Sequence, residues 1–161
     1  MMPLHPSIVH FPPVLLLSAA VLYLLAVIRR EHWVEVAGFA FHVSGLVFCI
    51  LTIFSGDYEA SRIVTNDAIR AIMGRHENLV MMATYGFGML AVWAFLRQKS
   101  GFFWERITFL GVFLSLIGVL WVGAHLGGRL VYEHGGGVVP MKEVIQAKEQ
   151  KSIDDSGKPF K

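Results

Sequence analysis

The chain has 161 residues, which suits a single domain, and it carries a formal net charge of only +2. Apolar residues make up 55% and charged residues 16% of it, whereas charged residues are nearer a quarter of a soluble globular protein. This composition excludes an ordinary soluble fold, and the small charge argues against nucleic-acid binding. The single cysteine, Cys49, excludes an internal disulfide, a cysteine-based metal cluster and covalently attached c-type haem.

Four long apolar runs predict four transmembrane helices, over residues 8–28, 36–54, 79–96 and 107–126. Each run of about 20 residues matches a hydrocarbon core roughly 30 Å thick, at about 1.5 Å per residue. None of the runs shows the polar face of a soluble helix. We therefore expect an all-α fold, an integral membrane four-helix bundle over residues 1–139. The polar tail at 140–161 is expected to be partly disordered.

Basic residues near the span ends predict the orientation of the chain. The first run has no basic segment before it and is too long for a signal peptide, so we interpret it as an uncleaved span. The short connections 29–35 and 97–106 are rich in Arg and Lys, and the positive-inside rule places them in the cytoplasm. We expect a protein of the bacterial inner membrane, with both termini and the loop 55–78 on the periplasmic side.

The loop 55–78 is expected to contain a short interfacial helix. Thr65-Asn66-Asp67 is a plausible helix start, and Ile69, Ile72 and Met73 recur at helical spacing. This helix would lead into span three, with Gly74 as the expected bend. The spans form two hairpins, one–two and three–four, but no repeat of sequence between them is evident.

The chain contains seven histidines, and their depths form a pattern. His10, His76 and His125 each lie near a span end, and alternating span directions put these three ends on the outer side. His42 is the deepest, roughly 10 Å inside span two at helical rise. Ionisable or metal-ligating residues in a bilayer usually mark function, and neutral imidazole is a common metal ligand.

The histidines near the outer side are candidate ligands of one b-type haem, because four-helix bundles build cofactor sites from facing helices. The candidates are His10, His76 and His125, with His42 in reserve and Arg129 as a partner for a haem propionate. The same three histidines could instead bind Cu or Zn, with Asp57, Glu77 and Glu133 as further ligands. Each histidine could also simply form hydrogen bonds, and Arg129 could be a snorkelling surface residue. The sequence shows no nucleophile beside a base and no phosphate-binding glycine loop, so no such motif indicates an enzyme.

The chain carries three motifs that are similar to those of a known family: one around the start of span one, one after span two and one from the end of span four. They are Leu4-His5-Pro6 followed by Val9-His10-Phe11-Pro12, then Ser55-Gly56-Asp57, and finally Leu126-Gly127-Gly128 with Leu130-Val131-Tyr132-x-His134-Gly135. Over about residues 4–139 the chain resembles a bacterial four-span family catalogued as domain of unknown function 2231. The resemblance implies a four-helix membrane architecture and makes His5, His10 and His134 part of the family pattern. It implies no reaction.

From these residues we expect a b-type cytochrome-like membrane protein with one haem near the outer face. It would pass electrons from a membrane donor such as quinol to a periplasmic acceptor such as a c-type cytochrome, alone or within a larger respiratory complex. The alternative is a non-catalytic membrane subunit or a membrane protein that handles Cu or Zn.

Overall fold

The computed structural model describes residues 4–61, 67–97, 102–134, 146–148 and 150–151. Of these residues 94% are helical and none forms a strand. The helices are α1 (Leu4–Ile8), α2 (Phe11–Arg29), α3 (His32–Ala60), α4 (Asp67–Arg97) and α5 (Phe103–Tyr132). The all-α class predicted from the sequence is confirmed. Most of the tail, for which partial disorder was expected, lies outside the described residues.

Four of the helical segments are long and apolar enough to cross a membrane, as predicted: Leu4–Arg29, His32–Ala60, Ile69–Arg97 and Phe103–Tyr132. They have 26 to 30 residues each, which corresponds to about 40–45 Å at helical rise and matches a bilayer with its headgroup layers. The segments therefore continue past the apolar runs, mainly at the end of the bundle where α3 and α5 finish. At that end, polar residues beyond the apolar runs also lie on helices.

The predicted interfacial helix is the first part of α4. This helix begins at Asp67 and continues without a break to Arg97, so Gly74, the expected bend, does not end it. The prediction that the interfacial helix leads into span three is thus confirmed. The proposed helix-starting residues Thr65 and Asn66 lie outside the described residues.

The first span is divided between α1 and α2 at Val9 and His10. Pro12 and Pro13 explain the division, since neither can donate the backbone hydrogen bond that would join the two helices into one. Proline is tolerated in the first turn of a helix, and both prolines lie in the first turn of α2, directly after Phe11. The five residues of α1 include no buried side chain, and this short helix rests against α3.

The four long helices form a closed bundle in which α2 packs on α3, α4 packs on α5, and the pairs α3–α4 and α2–α5 join the two hairpins. The core contains the fully buried side chains of Leu16, Tyr23, Phe87, Phe109 and Phe113. Large apolar side chains elsewhere on the spans are exposed, and only 28–33% of the most apolar window of each span is buried. An apolar surface of this kind is suited to contact with lipid.

Candidate cofactor site

The structure places His10 and His125 on the surface of the bundle. His10 is exposed at the break between α1 and α2, and His125 is exposed in the last turns of α5. Among the described residues, no group of three or more His, Cys, Asp or Glu side chains could hold a metal ion. His10, His76 and His125 are therefore not brought together as one metal-binding group.

His42 is fully buried, and both of its ring nitrogens are occupied. Nε2 lies 3.0 Å from the carbonyl oxygen of Phe87, and Nδ1 lies 3.3 Å from the hydroxyl of Tyr23. A carbonyl can only accept, so Nε2 carries the proton and Nδ1 accepts from Tyr23. The ring meets Phe113 edge-on, with centroids 4.9 Å apart. The environment of His42 is that of a core histidine whose hydrogen bonds are satisfied.

His76 is half-buried and held by the backbone of α5. Its Nδ1 lies 2.7 Å from the carbonyl oxygen of Gly123, so Nδ1–H donates and Nε2 keeps its lone pair. The ring lies against Gly127, where a Cβ atom would come within 2.9 Å of the His76 Cε1. Only glycine at this position lets the imidazole approach the helix so closely.

His5 is held by α3 in the same way. Its Nδ1 lies 3.1 Å from the carbonyl oxygen of Thr52, and the ring lies against Gly56, where a Cβ would come within 3.2 Å of the His5 Cε1. The Ser55 hydroxyl donates to the same carbonyl and lies 3.1 Å from Nδ1. Because the hydroxyl proton is used there, Nδ1 again carries a proton and Nε2 keeps its lone pair. No described residue forms a hydrogen bond with Nε2 of His5 or of His76.

The two histidine sites are copies of one arrangement. In each, Nδ1–H meets the carbonyl four residues before a glycine, and the ring covers that glycine. His76 follows His5 by 71 positions, Gly127 follows Gly56 by 71, and Gly123 follows Thr52 by 71. The rings come from different hairpins, and both lie at the end of the bundle where α3 and α5 finish, called the histidine end below.

The same displacement of 71 positions relates further buried residues of the two hairpins. In α2, Pro12, Leu16, Ala19, Tyr23 and Ala26 are buried, and so are their counterparts Ala83, Phe87, Leu90, Ala94 and Arg97. In α5, Phe109, Phe113, Leu120 and Gly123 are buried, and so are their counterparts Gly38, His42, Cys49 and Thr52. The bundle is thus an internal structural repeat. The amino acids at most of these positions differ, which is why no repeat is evident in the sequence.

Arg129, the predicted propionate partner, is already paired with a carboxylate one helical turn away. Its guanidinium contacts both carboxylate oxygens of Glu133 at 2.8–3.0 Å. These hydrogen bonds hold the pKa of the Glu133 carboxyl below its ordinary value. Both side chains are exposed, so the pair can open at little cost when a different anion approaches.

A second polar cluster, which the sequence analysis did not single out, lies at the opposite end of the bundle, called the arginine end below. Glu35 is buried near the start of α3, and its two carboxylate oxygens accept from Arg97 at 2.9 Å and from Arg106 at 3.0 Å. The Arg97 guanidinium also lies 3.9 Å from the centroid of the Phe109 ring. The sequence did offer a signal for this cluster, because Glu35 is an acidic residue that directly precedes the apolar run 36–54.

Together these features define a class: a four-helix integral membrane protein, built from two equivalent hairpins, with a pair of anchored histidines at one end. The chain belongs to the family described as predicted membrane protein DUF2231, whose family model matches residues 1–140. This confirms the resemblance seen in the sequence. No curated protein and no solved structure matches the chain.

Proposed function

We propose that this protein is a membrane-bound b-type cytochrome in which His5 and His76 ligate one haem at the histidine end. The observation that carries the proposal is the matched anchoring of the two imidazoles. Each has its Nδ1–H bonded to a backbone carbonyl and its Nε2 lone pair without a partner among the described residues. A neutral imidazole with a free Nε2 lone pair is the state in which each histidine would hold haem iron.

The donor chemistry fits haem in two respects. First, metal-ligating histidines usually donate their other N–H to a carbonyl or carboxylate, which fixes the tautomer and raises the basicity of the ligating nitrogen. Second, the porphyrin itself would supply four nitrogen donors, so two imidazoles from the protein would be enough to hold the iron. A Cu or Zn site without a porphyrin generally requires more protein ligands than this pair provides.

The proposed ligands differ from those of the sequence-based hypothesis. His76 stays, and His5 replaces His10 and His125 as its partner, because both of those side chains are exposed. His42 is unsuitable, since ligation would cost it the hydrogen bond to Phe87 or the one from Tyr23. Arg129 keeps its proposed role with a propionate, which would replace Glu133 as its acceptor.

In this proposal the haem supplies a one-electron redox centre, and the chain supplies position, orientation and insulation. Thr52 and Gly123 hold the imidazole protons through their carbonyl oxygens, and Gly56 and Gly127 set the height of each ring above its helix. In the orientation predicted from the basic residues, the histidine end would lie near the outer bilayer surface, within reach of a quinol in the membrane and of a soluble acceptor outside. Electron transfer from quinol to a c-type or other periplasmic acceptor is the function that this position suits.

Absorption spectroscopy of the purified protein, oxidised and then reduced with dithionite, tests the proposal. The wild type should show a Soret band and a sharp α band. His5→Ala and His76→Ala should each abolish the six-coordinate spectrum, since either change removes one axial ligand. His10→Ala and His125→Ala are the matched controls and should leave it unchanged.

Two outcomes would contradict this assignment. A folded protein that stays colourless after reconstitution with haem b would refute the haem function, and metal analysis of the same sample would then test Cu and Zn. A haem spectrum that survives loss of both His5 and His76 would keep the function but reject the ligands.

A further inference from the structure

A small cavity opens at the arginine end, where α2 finishes and α5 begins. It has a volume of about 90 Å³ and is lined by Val27, Arg30, Phe103 and Arg106. Liquid water occupies roughly 30 Å³ per molecule, so the cavity suits a small polar group rather than a large ligand. Two of its four lining side chains are guanidinium groups and the other two are apolar. Such a combination favours a small anion at the boundary between water and lipid.

Arg30 occupies a backbone position that normally favours glycine. Its φ of 55° and ψ of 25° place it in the left-handed region, as the C-cap of α2, and it is the one described non-glycine residue with a positive φ. Glycine takes this conformation without steric cost, whereas a residue with a side chain is strained there. The guanidinium of Arg30 lies 5.4 Å from the centroid of the Phe103 ring, on the wall of the cavity. A strained residue whose side chain lines a cavity points to a role for that side chain.

Arg106 contributes a buried donor with no partner among the described residues. Its Nη2 binds Glu35 and its Nη1 donates to the carbonyl oxygen of Ala26, but its Nε is buried without a hydrogen bond. A buried guanidinium N–H left in this way is costly.

The carboxylates of the arginine end do not neutralise the cavity. Glu35 is shared between Arg97 and Arg106, so this cluster retains one positive charge before Arg30 is added. Glu105 accepts a hydrogen bond from Trp93 and Glu31 accepts one from Trp33, and both carboxylates keep their negative charge because the indole donors are neutral. The described residues of this end include four arginines, at 29, 30, 97 and 106, and three glutamates, at 31, 35 and 105. The end that holds the cavity therefore carries one excess positive charge.

The start of α5 adds to this field. This helix of 30 residues begins beside the cavity, at Phe103, and has no side-chain cap at its N-terminus. Uncapped backbone N–H groups and the positive end of the helix dipole both favour an anion.

We propose that Arg30 and Arg106 form a binding site for a phosphate group at the arginine end of the bundle. The phosphate can belong to the headgroup of an anionic phospholipid or to free inorganic phosphate, since both present the same oxygens. Arg30 would bind it from the helix end and Arg106 from inside the bundle. The proposal is independent of the haem, which would lie at the opposite end.

Native mass spectrometry of the detergent-purified full chain tests this site. The probes are dioleoylphosphatidylglycerol, dioleoylphosphatidylcholine and inorganic phosphate. The wild type should retain phosphatidylglycerol in preference to phosphatidylcholine. Arg30→Gly should weaken this binding about 10-fold, because a charge-assisted hydrogen bond is lost. This variant keeps the backbone relaxed, so its thermal stability without lipid should equal or exceed that of the wild type.

Arg29→Gln is the matched control, because Arg29 is the exposed neighbour of Arg30 and does not line the cavity. It should bind phosphatidylglycerol as the wild type does. Competition by millimolar inorganic phosphate would identify the free anion as a ligand, and its failure would identify the lipid headgroup; either result supports the site. Equal losses in Arg29→Gln and Arg30→Gly, or no preference for phosphatidylglycerol over phosphatidylcholine, would overturn the proposal.

Discussion

At the residue scale, the neighbours of the histidines separate structural from candidate functional side chains. The sequence places His10, His76 and His125 first as ligands, keeps His42 in reserve and does not include His5 among the candidate ligands. In the structure, both nitrogens of His42 are satisfied within the core, whereas His5 and His76 are each anchored through one nitrogen only. Depth alone cannot reveal this difference, since it depends on which carbonyl each ring meets across the bundle.

The glycines beneath the two rings provide a test at this scale. In Gly127→Ala the new methyl group would come within 2.9 Å of the His76 Cε1, so the ring must move off its carbonyl. We expect haem affinity to fall about 10-fold to 100-fold, as for other losses of support around a metal ligand. Gly128→Ala is the control, because no atom lies within 4 Å of its added Cβ. Haem titration followed by absorbance measures both variants, and equal affinities would show that Gly127 does not position His76.

At the element scale, hydropathy predicts the four spans and their order correctly, because the number of apolar residues needed to cross a bilayer is fixed by its thickness. The helix ends are predicted less well. Both α3 and α4 continue beyond the apolar runs through polar residues, to Ala60 and from Asp67. Hydropathy does not predict these turns, since many of their residues are polar. The candidate site lies at this end of the bundle. The contact between His5 and Thr52 could not be predicted from the apolar runs, because His5 lies outside them.

The short helix α1 gives a test at the scale of the element. A helix of five residues is not stable alone, and α1 is tied to α3 by the hydrogen bond from the backbone N–H of His5 to Glu59, at 3.0 Å. Glu59→Ala should loosen α1 and weaken haem binding about 10-fold, while the His76 half stays in place. Asp57→Ala, a change of an exposed carboxylate on the same helix, is the control. Haem titrations of the two variants compare them directly, and unchanged affinity in Glu59→Ala would show that other contacts suffice to hold α1.

At the scale of the whole molecule, the two ends of the bundle differ in how far the repeat is kept. At the histidine end, His5 and His76 occupy equivalent positions with the same contacts. At the arginine end the equivalents have diverged, since Glu35 corresponds to Arg106 and Ala26 corresponds to Arg97. At this one pair of equivalent positions, Glu35 and Arg106 form an ion pair that joins the two hairpins. Such substitutions hide the repeat from sequence comparison.

The ion cluster predicts a stability effect of the whole bundle. Glu35→Ala leaves Arg97 and Arg106 without their carboxylate, and breaking a buried pair in this way costs about 3–5 kcal/mol. The thermal midpoint in detergent should fall sharply, while haem retained by the folded fraction keeps its spectrum because the histidine end is distant. Glu31→Ala removes an exposed carboxylate nearby and should change stability little. Equal melting curves for the two variants would show that the cluster does not stabilise the bundle.

The displacement of 71 positions also bears on how such a bundle can arise. Each hairpin runs from the histidine end to the arginine end and back, so the two halves are parallel copies rather than inverted ones. Two identical hairpins associated side by side would therefore place a histidine, a carbonyl and a glycine opposite the same three groups of the partner. A symmetric pair of such hairpins would contain every element of the histidine end. A single chain that holds both copies can in addition carry different residues at equivalent positions of the arginine end.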